Sequence, residues 1–296
     1  HRFDQIEYGD TIRAGKLQGA AHSAGHIPGA TMYEVLDKKT TLVTGALHTL
    51  DTRLVDGARP VKCDNLIMES TYSGRNHPDR LKTEYAFLKE VHEVVARGGK
   101  AIVPAFAVGR TQEIELLLKD SKLDYWHDGM GKSVNKLYLE EPQHLRSAKR
   151  LRQAVTRGRE VKNFHARQRA HDGEVIVTTS GMLDGGPVVS YIEVAKDDPK
   201  NAILLTGYQV EGCNGRKLLD TGMMEFHGVS EKVECEVLKF DFSAHAGHDE
   251  LLAFARGCSP EKGVLMHGDH REALAEDLRK EGFEVLLPMN GQKFEL

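Results

Sequence analysis

The sequence predicts an α/β protein with a mostly parallel or mixed sheet, because short apolar segments alternate with amphipathic ones along the chain. The apolar segments have the length of buried strands rather than of helices. The 29 glycines suit the tight turns that join such elements. Seven buried strands are predicted, at 41–43, 66–68, 101–103, 175–177, 203–205, 264–266 and 285–287.

Amphipathic helices are predicted between these strands. In 78–98 apolar side chains recur at helical spacing, with a proline in the first turn and a glycine pair at the end. A last helix is predicted at 270–280, ahead of the closing strand. By contrast, 121–173 is polar, basic and poor in long apolar runs, which predicts the outer part of an inserted domain.

Composition narrows the class of protein. The formal net charge is −4, which gives no overall attraction for nucleic acid, and no apolar run approaches a membrane span. The four cysteines have no CxxC spacing, which argues against a disulfide framework or a cysteine zinc site and favours a reducing cytoplasm. No signal-like segment opens the chain. Because its first residue is His1, we expect the natural N-terminus to lie upstream.

One segment departs from this average charge. Residues 149–169 contain eight lysines and arginines against one acidic residue, Glu160. Such a segment can neutralise several phosphates even on an acidic protein. It can equally be a solvated helix face followed by a loop, and the sequence leaves both interpretations open.

Three histidines and a carboxylate stand at the ends of predicted strands. His245 and His267 each lie between a probable strand and a probable helix, where ligands and metals collect in α/β proteins. His26, in a glycine-flanked loop, and Glu69, at a strand end, have similar settings. Together they indicate a metal-assisted hydrolase. Singly, each histidine could be structural, and Glu69 could orient a histidine, bind a metal or cap the next helix.

Three turns are candidates for phosphate contacts. Arg110 follows a small-residue turn into a helix, whose N-terminus favours anions. Ser180 and Gly181 follow another strand, and Arg216 follows a segment that contains Gly, Tyr and Gln. Each pattern by itself is unspecific.

In this order, however, the segments resemble the metallo-β-lactamase nucleases that carry an inserted β-CASP domain. That group includes ribonuclease J, the endonuclease subunit of the cleavage and polyadenylation specificity factor, and their archaeal homologues. The resemblance covers essentially the whole chain. The matching segments are Ala24-Gly25-His26 (third metal-binding motif), Thr44-Gly45 (start of the fourth), Glu69-Ser70-Thr71-Tyr72 (motif A), Ser243-Ala244-His245 (motif B) and His267-Gly268-Asp269 (motif C).

The resemblance implies a fold and its domains. The fold would be an αββα metallo-β-lactamase sandwich, incomplete at the N-terminus, with an inserted α/β β-CASP domain. The expected domains are 1–74 for the first part of the lactamase domain, 75–240 for β-CASP and 241–296 for the C-terminal return. The 176 positions between Glu69 and His245 match the size of the insertion.

The resemblance also implies roles for residues. Two zinc ions would be held by histidines and carboxylates, with His26 on one ion and His267 on the other. His245 would protonate the leaving oxygen, while Glu69 would hold its other ring nitrogen. A histidine at motif C goes with the RNA-processing members, so RNA is the expected substrate. In the cleft between the domains, a single strand would meet Arg110, Ser180, Gly181 and Arg216.

Two departures bear on activity. The HxHxDH motif, which normally lies well upstream of His26, does not occur in the 25 residues that precede it. The fourth motif normally reads Thr-Gly-Asp, with an aspartate that bridges the zincs, whereas position 46 is Ala46. Asp51 is too far along the loop to substitute, and His48 is a candidate stand-in. We therefore expect poor zinc binding and weak or absent hydrolysis by this chain.

Ala46 has two explanations. It is either an inactivating substitution in a truncated chain, which the retained Glu69, His245 and His267 favour, or the mark of a naturally degenerate paralogue. The leading hypothesis is a cytoplasmic, archaeal-type, zinc-dependent ribonuclease acting on single-stranded RNA as a 5′-3′ exonuclease or an endonuclease. The alternative is a non-catalytic RNA-binding or scaffold subunit with the same fold. A homodimer is compatible with both, and no membrane contact is expected.

Overall fold

A computed structural model describes residues 5–296 and divides the chain into two compact units. The first unit runs to His77 and resumes at Ala244–Leu296, and the second unit is Pro78–Ser243. Both divisions fall three residues beyond the boundaries expected from the sequence, which were 74/75 and 240/241. Within residues 5–296, no helix is both long enough and apolar enough to cross a membrane.

The described residues form fifteen strands, nine α-helices and one short 3₁₀ turn at Pro142–His144. The strands are β1 Thr11–Ala14, β2 Leu17–Ser23, β3 Thr31–Leu36, β4 Thr40–Val43, β5 Asn65–Glu69, β6 Ala101–Pro104, β7 Tyr125–Asp128, β8 Arg159–Glu160, β9 Val175–Thr178, β10 Ala202–Leu205, β11 Met223–Phe226, β12 Val229–Lys232, β13 Glu236–Lys239, β14 Lys262–Met266 and β15 Glu284–Leu286. The helices are α1 Arg80–Ala96, α2 Arg110–Leu118, α3 Gly131–Glu140, α4 Ala148–Arg157, α5 Phe164–Ala170, α6 Pro187–Ala195, α7 Asn214–Thr221, α8 His248–Cys258 and α9 Arg271–Lys280.

The first unit is built on a seven-stranded sheet in the order β1-β2-β3-β4-β5-β14-β15. β1 to β4 are antiparallel neighbours, whereas β4, β5, β14 and β15 run parallel. Helices α8 and α9 bury their apolar stripes in the same core as the sheet, with Phe254 and Leu274 among the buried residues. The described part of this unit thus supplies one of the two sheets of an αββα sandwich.

The second unit contains a six-stranded parallel sheet in the order β13-β10-β6-β9-β7-β8. Its central strands β6, β9 and β10 are buried along their whole length. Parallel strands covered on both faces need continuous apolar sequences, which is why these three were recognisable as strands. A separate antiparallel pair is formed by β11 and β12.

All seven predicted strands correspond to observed ones, and the predicted helices correspond to α1 and α9. The proline at position 78 precedes the helix instead of lying in its first turn, because Asp79 is the N-cap and its Oδ1 accepts the backbone N–H of Lys82 (2.8 Å). Residues 121–173, predicted as the outer part of an inserted domain, lie in the second unit and are regularly folded despite their polar sequence. This segment folds into β7, α3, α4, β8 and α5, and β7 is fully buried.

The loop between β2 and β3 offers a test of the close packing that this fold requires. Gly25 and Gly29 both have positive φ, 68° and 84°. A Cβ at Gly25 would lie 2.2 Å from the His48 carbonyl oxygen, whereas a Cβ at Gly29 would meet nothing within 4 Å. We expect Gly29→Ala to cost about 1 kcal/mol through backbone strain alone. Gly25→Ala should cost at least about 2 kcal/mol more, because backbone atoms must move apart. Urea unfolding followed by circular dichroism measures both, and equal losses would contradict this packing.

Candidate active site

The first unit carries all four side chains proposed from the strand ends. Glu69 is the last residue of β5, and His267 directly follows β14. β5 and β14 are parallel neighbours in which Met266 pairs with Glu69, so the two positions leave the sheet at the same edge. His26 lies in the β2–β3 loop, and His245 lies in the segment that leads into α8.

Glu69 and His245 form a direct hydrogen-bonded pair. The Nδ1 atom of His245 lies 2.9 Å from Oε1 and 3.0 Å from Oε2 of Glu69. Glu69 is 1% exposed, whereas the His245 side chain is 24% exposed. Two further donors reach the carboxylate: the backbone N–H of Leu47 at Oε1 and the hydroxyl of Thr71 at Oε2. A buried carboxylate thus fixes the orientation of a partly accessible imidazole.

The donors around Glu69 determine its charge. Burial by itself raises the pKa of this carboxyl, but the hydrogen bond and charge of His245 and the donors from Leu47 and Thr71 outweigh it. The net effect holds the pKa of Glu69 below its ordinary value. Because an ionised carboxylate only accepts hydrogen bonds, His245 must donate through Nδ1–H. The interpretation of Glu69 as a helix cap does not apply, since the next helix is capped by Asp79.

His26 is held beside this pair. Its Nδ1 lies 2.7 Å from the carbonyl oxygen of Ala244, the residue before His245, and the two imidazole centres are 4.6 Å apart. A carbonyl only accepts, so Nδ1 of His26 carries a proton, and in the neutral ring Nε2 then carries the lone pair. Donation of one ring N–H to a backbone carbonyl is typical of histidines that ligate metals through the other nitrogen.

His267 has a constrained backbone and an exposed side chain. Its φ is 53°, in the left-handed region, and its carbonyl oxygen accepts hydrogen bonds from the backbone of Ser70 (3.4 Å) and the hydroxyl of Thr71 (3.3 Å). The next residue, Gly268, packs so closely on Ser70 that a Cβ would lie 2.3 Å from its carbonyl oxygen. Motifs A and C are therefore locked together through their backbones.

The residues present do not fit a complete zinc site. Among residues 5–296, no three His, Cys, Asp or Glu side chains are grouped so that they could hold a metal ion. A zinc ion normally takes at least three protein ligands. Asp51 is engaged by the backbone N–H of Gly57 (3.0 Å) and by Arg59 (2.8 Å), and His48 joins no ligand group. His26 has the carbonyl contact at Nδ1 that is typical of metal-binding histidines, but too few other potential ligands are grouped with it among residues 5–296.

The proposed phosphate-binding residues lie in the second unit. Arg110 is the first residue of α2, and its guanidinium carbon is 5.8 Å from the centre of the Phe242 ring. Ser180 and Gly181 follow β9, the parallel neighbour of β6, so these turns lie at one carboxyl edge of the sheet. The Gln209 side-chain amide donates to the Gly181 carbonyl (2.9 Å), which ties the loop after β10 to the same place.

Arg216 is on the exposed side of α7. Its Nε donates to Oδ2 of Asp220 at 2.7 Å, so its charge is already partly balanced. Arg216 and Asp220 line a pocket of about 550 Å³ together with Tyr208 and Lys217. The structure joins Gly181 to the Gly-Tyr-Gln segment, and it gives Arg216 a carboxylate partner that the sequence did not indicate.

Residues that position Glu69 were not identified from the sequence. Thr71 is two residues beyond Glu69, on the strand exit, and a Glu-x-Thr spacing there was the available signal. Leu47 contributes its backbone N–H, and because every residue except proline has this group, the sequence does not identify it. Tyr72 lies beside His245, with its ring centre 6.2 Å from that of His245 and 4.9 Å from the guanidinium carbon of Arg75.

Two domain families match the chain. The Beta-Casp domain matches residues 111–218, which lie within the second unit. The Zn-dependent metallo-hydrolase RNA specificity domain matches residues 230–288, which include His245 and His267. A crystal structure of a protein of unknown function from Enterococcus faecalis V583 aligns with a TM-score of 0.61 over 98% of this chain and 67% of that chain, at 13% identity, and so shares its fold.

The curated relatives are archaeal. A probable RNase MJ4 of Methanocaldococcus jannaschii is 39% identical over 93% of this chain and 68% of its own length. The RNase aCSPSF2 of Saccharolobus solfataricus is 36% identical over 99% of this chain and 62% of its own length. Transcription termination factor FttA of Pyrococcus horikoshii is 31% identical over 91% of this chain and 47% of its own length. The chain thus spans between about half and two thirds of these relatives.

Replacement of Glu69 tests the charge assigned to it. Glu69→Gln should destabilise the protein at neutral pH by about 2 kcal/mol, because a charged acceptor is lost. A carboxyl with a depressed folded-state pKa stabilises above its unfolded pKa, and this contribution is lost as pH falls through the folded value. The difference between variant and wild type should therefore shrink below about pH 4.5, the ordinary value for Glu.

Urea unfolding at a series of pH values measures this difference. Glu34→Gln is the matched control, since Glu34 contacts the Nε2 atom of His22 at 2.9 Å in a more exposed pair. Exposed pairs contribute about 0–1 kcal/mol, so the control should have a smaller effect. A Glu69→Gln difference that grows in acid would contradict the assigned charge.

Proposed function

The chain belongs to the β-CASP family of metallo-β-lactamase-fold ribonucleases, and from that premise we propose that it carries the site of a nuclease for phosphodiester bonds of single-stranded RNA, which Ala46 leaves inactive. The observation that carries this proposal is the pairing of buried Glu69 with partly exposed His245. A general acid needs a fixed orientation and access to the bond that breaks. The pair meets both requirements.

In this proposal His245 is the general acid. The leaving oxygen of the RNA backbone takes a proton from the imidazolium, while Nδ1–H remains bonded to Glu69. The negative charge of Glu69 stabilises the protonated ring before transfer, and Leu47 and Thr71 keep that charge on the carboxylate. Arg110, Ser180, Gly181 and Arg216 are the proposed contacts for RNA phosphates.

Zinc is the cofactor expected for this family, with His26 and His267 as the proposed ligands in this chain. Zinc would supply activation of the attacking water and stabilisation of charge on the phosphate. The described residues do not complete a ligand set, and Ala46 provides no carboxylate. We therefore propose that the chain with Ala46 binds RNA but does not hydrolyse it.

A non-catalytic RNA-binding subunit is the second candidate function. The specific observation in its favour is the same incomplete ligand set together with Ala46. The intact Glu69–His245 pair speaks for the enzyme, because a scaffold has no need of an oriented acid. Both candidates share a single-stranded RNA partner, and for both we propose a cytoplasmic homodimer. The proposal covers both 5′-3′ exonuclease and endonuclease cleavage.

Restoration of a carboxylate at position 46 separates the two candidates. In the whole protein, including any residues outside positions 1–296, Ala46→Asp should raise bound zinc to a stoichiometric level and produce cleavage of labelled single-stranded RNA. Atomic emission of the purified protein measures the zinc, and gel electrophoresis measures the cleavage. If the variant gains neither zinc nor cleavage and still binds RNA, the scaffold function is correct.

The acid role of His245 has its own test in the Ala46→Asp protein. His245→Ala should lower the cleavage rate by at least about 100-fold, since general acids typically contribute that much. Its zinc content should not change, because His245 is not a proposed ligand. His22→Ala is the matched control, as it removes another histidine paired with a glutamate, Glu34. Loss of zinc in His245→Ala would show that His245 is a ligand instead.

A further inference from the structure

The second unit contains a concentration of positive charge that the proposed active site does not use. Residues 149–169 hold eight lysines and arginines against one glutamate, a net charge of +7. The remaining 32 basic and 43 acidic residues give the rest of the chain −11. In the structure this segment is α4, the short strand β8 and α5. Seven of its eight cations therefore lie on regular secondary structure, and Lys162 lies in the loop between β8 and α5.

Three of these eight cations have carboxylate partners. Arg167 makes two hydrogen bonds to buried Asp128, at 2.7 and 3.2 Å, and so has a structural role. Arg159 binds Asp124 at 2.7 Å, and Arg150 lies 3.5 Å from Asp120. In the described part of the chain, the other five have no carboxylate partner: Lys149, Arg152, Arg157, Lys162 and Arg169.

The unpaired cations of α4 share one helix face. Positions 149, 152, 153, 156 and 157 follow the i, i+3, i+4, i+7, i+8 spacing of a single stripe. The side chains at these positions line a shallow pocket of about 410 Å³, and none of them is acidic. They are Lys149, Arg152, Gln153, Thr156 and Arg157. We call this set the α4 basic face. The opposite side of α4 is buried through Leu151 and Ala154.

Both ends of α4 are held in place. Ser147 caps the N-terminus by accepting the backbone N–H of Arg150 (3.3 Å). At the other end the Tyr125 hydroxyl donates to the Ala154 carbonyl, and an Arg157 guanidinium N–H donates to the Leu123 carbonyl (3.4 Å). The basic face is thus presented on a helix whose backbone is held at both ends, so little ordering of the backbone is needed when a ligand binds.

We propose that the α4 basic face binds the phosphate backbone of single-stranded RNA, as a site separate from the proposed phosphate contacts of Arg110, Ser180, Gly181 and Arg216. This inference rests on the proposed RNA substrate and extends it. Lysine and arginine neutralise phosphates, while the amide of Gln153 and the hydroxyl of Thr156 donate neutral hydrogen bonds to them. From position 149 to 157 the helix rises about 12 Å, enough for about three phosphates of one strand.

RNA fits this face better than an acidic protein does. Protein interfaces depend on aromatic or large apolar anchors in their centre. The α4 basic face has none, since its five members are three cations, an amide and a hydroxyl. It offers charge and hydrogen bonds without base-reading features, so the RNA contact is independent of sequence.

The test is RNA binding by the Lys149→Gln, Arg152→Gln double variant. Both side chains are exposed and lack carboxylate partners in the described chain, so folding should be unaffected. Fluorescence anisotropy of a labelled single-stranded RNA of mixed sequence is measured over a range of salt concentrations. Affinity should fall about tenfold at 0.15 M salt, and the slope of log affinity against log salt should decrease by about 1.4, or 0.7 per lost phosphate contact.

Lys82→Gln, Lys89→Gln is the matched control. It removes the same charge from two exposed positions of α1, in the same unit, and should leave both affinity and slope unchanged. If both double variants weaken binding equally, net charge alone is responsible and the inference fails. If the α4 variant loses binding of poly-glutamate while RNA binding persists, the face serves acidic proteins and the inference also fails.

The same assay separates this inference from the proposed function. If wild-type protein does not bind RNA, the proposed function is wrong and the α4 inference falls with it. If wild type binds RNA and the α4 variant binds equally well with the same salt slope, the proposed function stands and only the α4 inference is overturned.

Discussion

The candidate site depends on one buried negative charge. Glu69 is almost completely removed from water, which is unfavourable for an ionised carboxylate unless donors replace the lost hydration. Those donors come from three parts of the chain: Leu47 after β4, Thr71 directly after β5 and His245 after the entire second unit. The need to satisfy this carboxylate therefore fixes the loops that carry the proposed chemistry, and the orientation of His245 follows from it.

The need to satisfy buried polar groups also explains which buried strands the sequence located and which one it did not. Strands such as β6, β9 and β10 are continuous apolar runs, so composition alone locates them. β7 reads Tyr-Trp-His-Asp and is equally buried, because several of its polar side-chain atoms have partners elsewhere in the unit. Within the second unit His127 contacts Glu115 (2.9 Å) and Asp128 contacts Arg167. Pairings of this kind depend on three-dimensional proximity, which local pattern does not contain.

At the site itself, the residue types were predictable and their supporting contacts were not. The motifs indicated Glu69 and His245 because their order and spacing resemble a known group. The carbonyl that holds His26 and the N–H that holds Glu69 are backbone atoms, present in every residue and therefore silent in sequence. Thr71 was visible only as a hydroxyl near a carboxylate. Position 46 shows the reverse case. The sequence alone shows that the carboxylate is missing, and residues 5–296 contain no group of ligands that could replace it.

The central claim is that an ionised Glu69 holds the Nδ1–H of His245, and the tautomer of His245 tests it most directly. Long-range ¹H–¹⁵N correlation spectra of histidine-labelled protein show which ring nitrogen carries the proton, with His245→Gln used to assign the signal. The account predicts that neutral His245 is protonated on Nδ1 and that Glu69→Gln alters this pattern. A neutral ring protonated on Nε2, or a spectrum unchanged by Glu69→Gln, would contradict it.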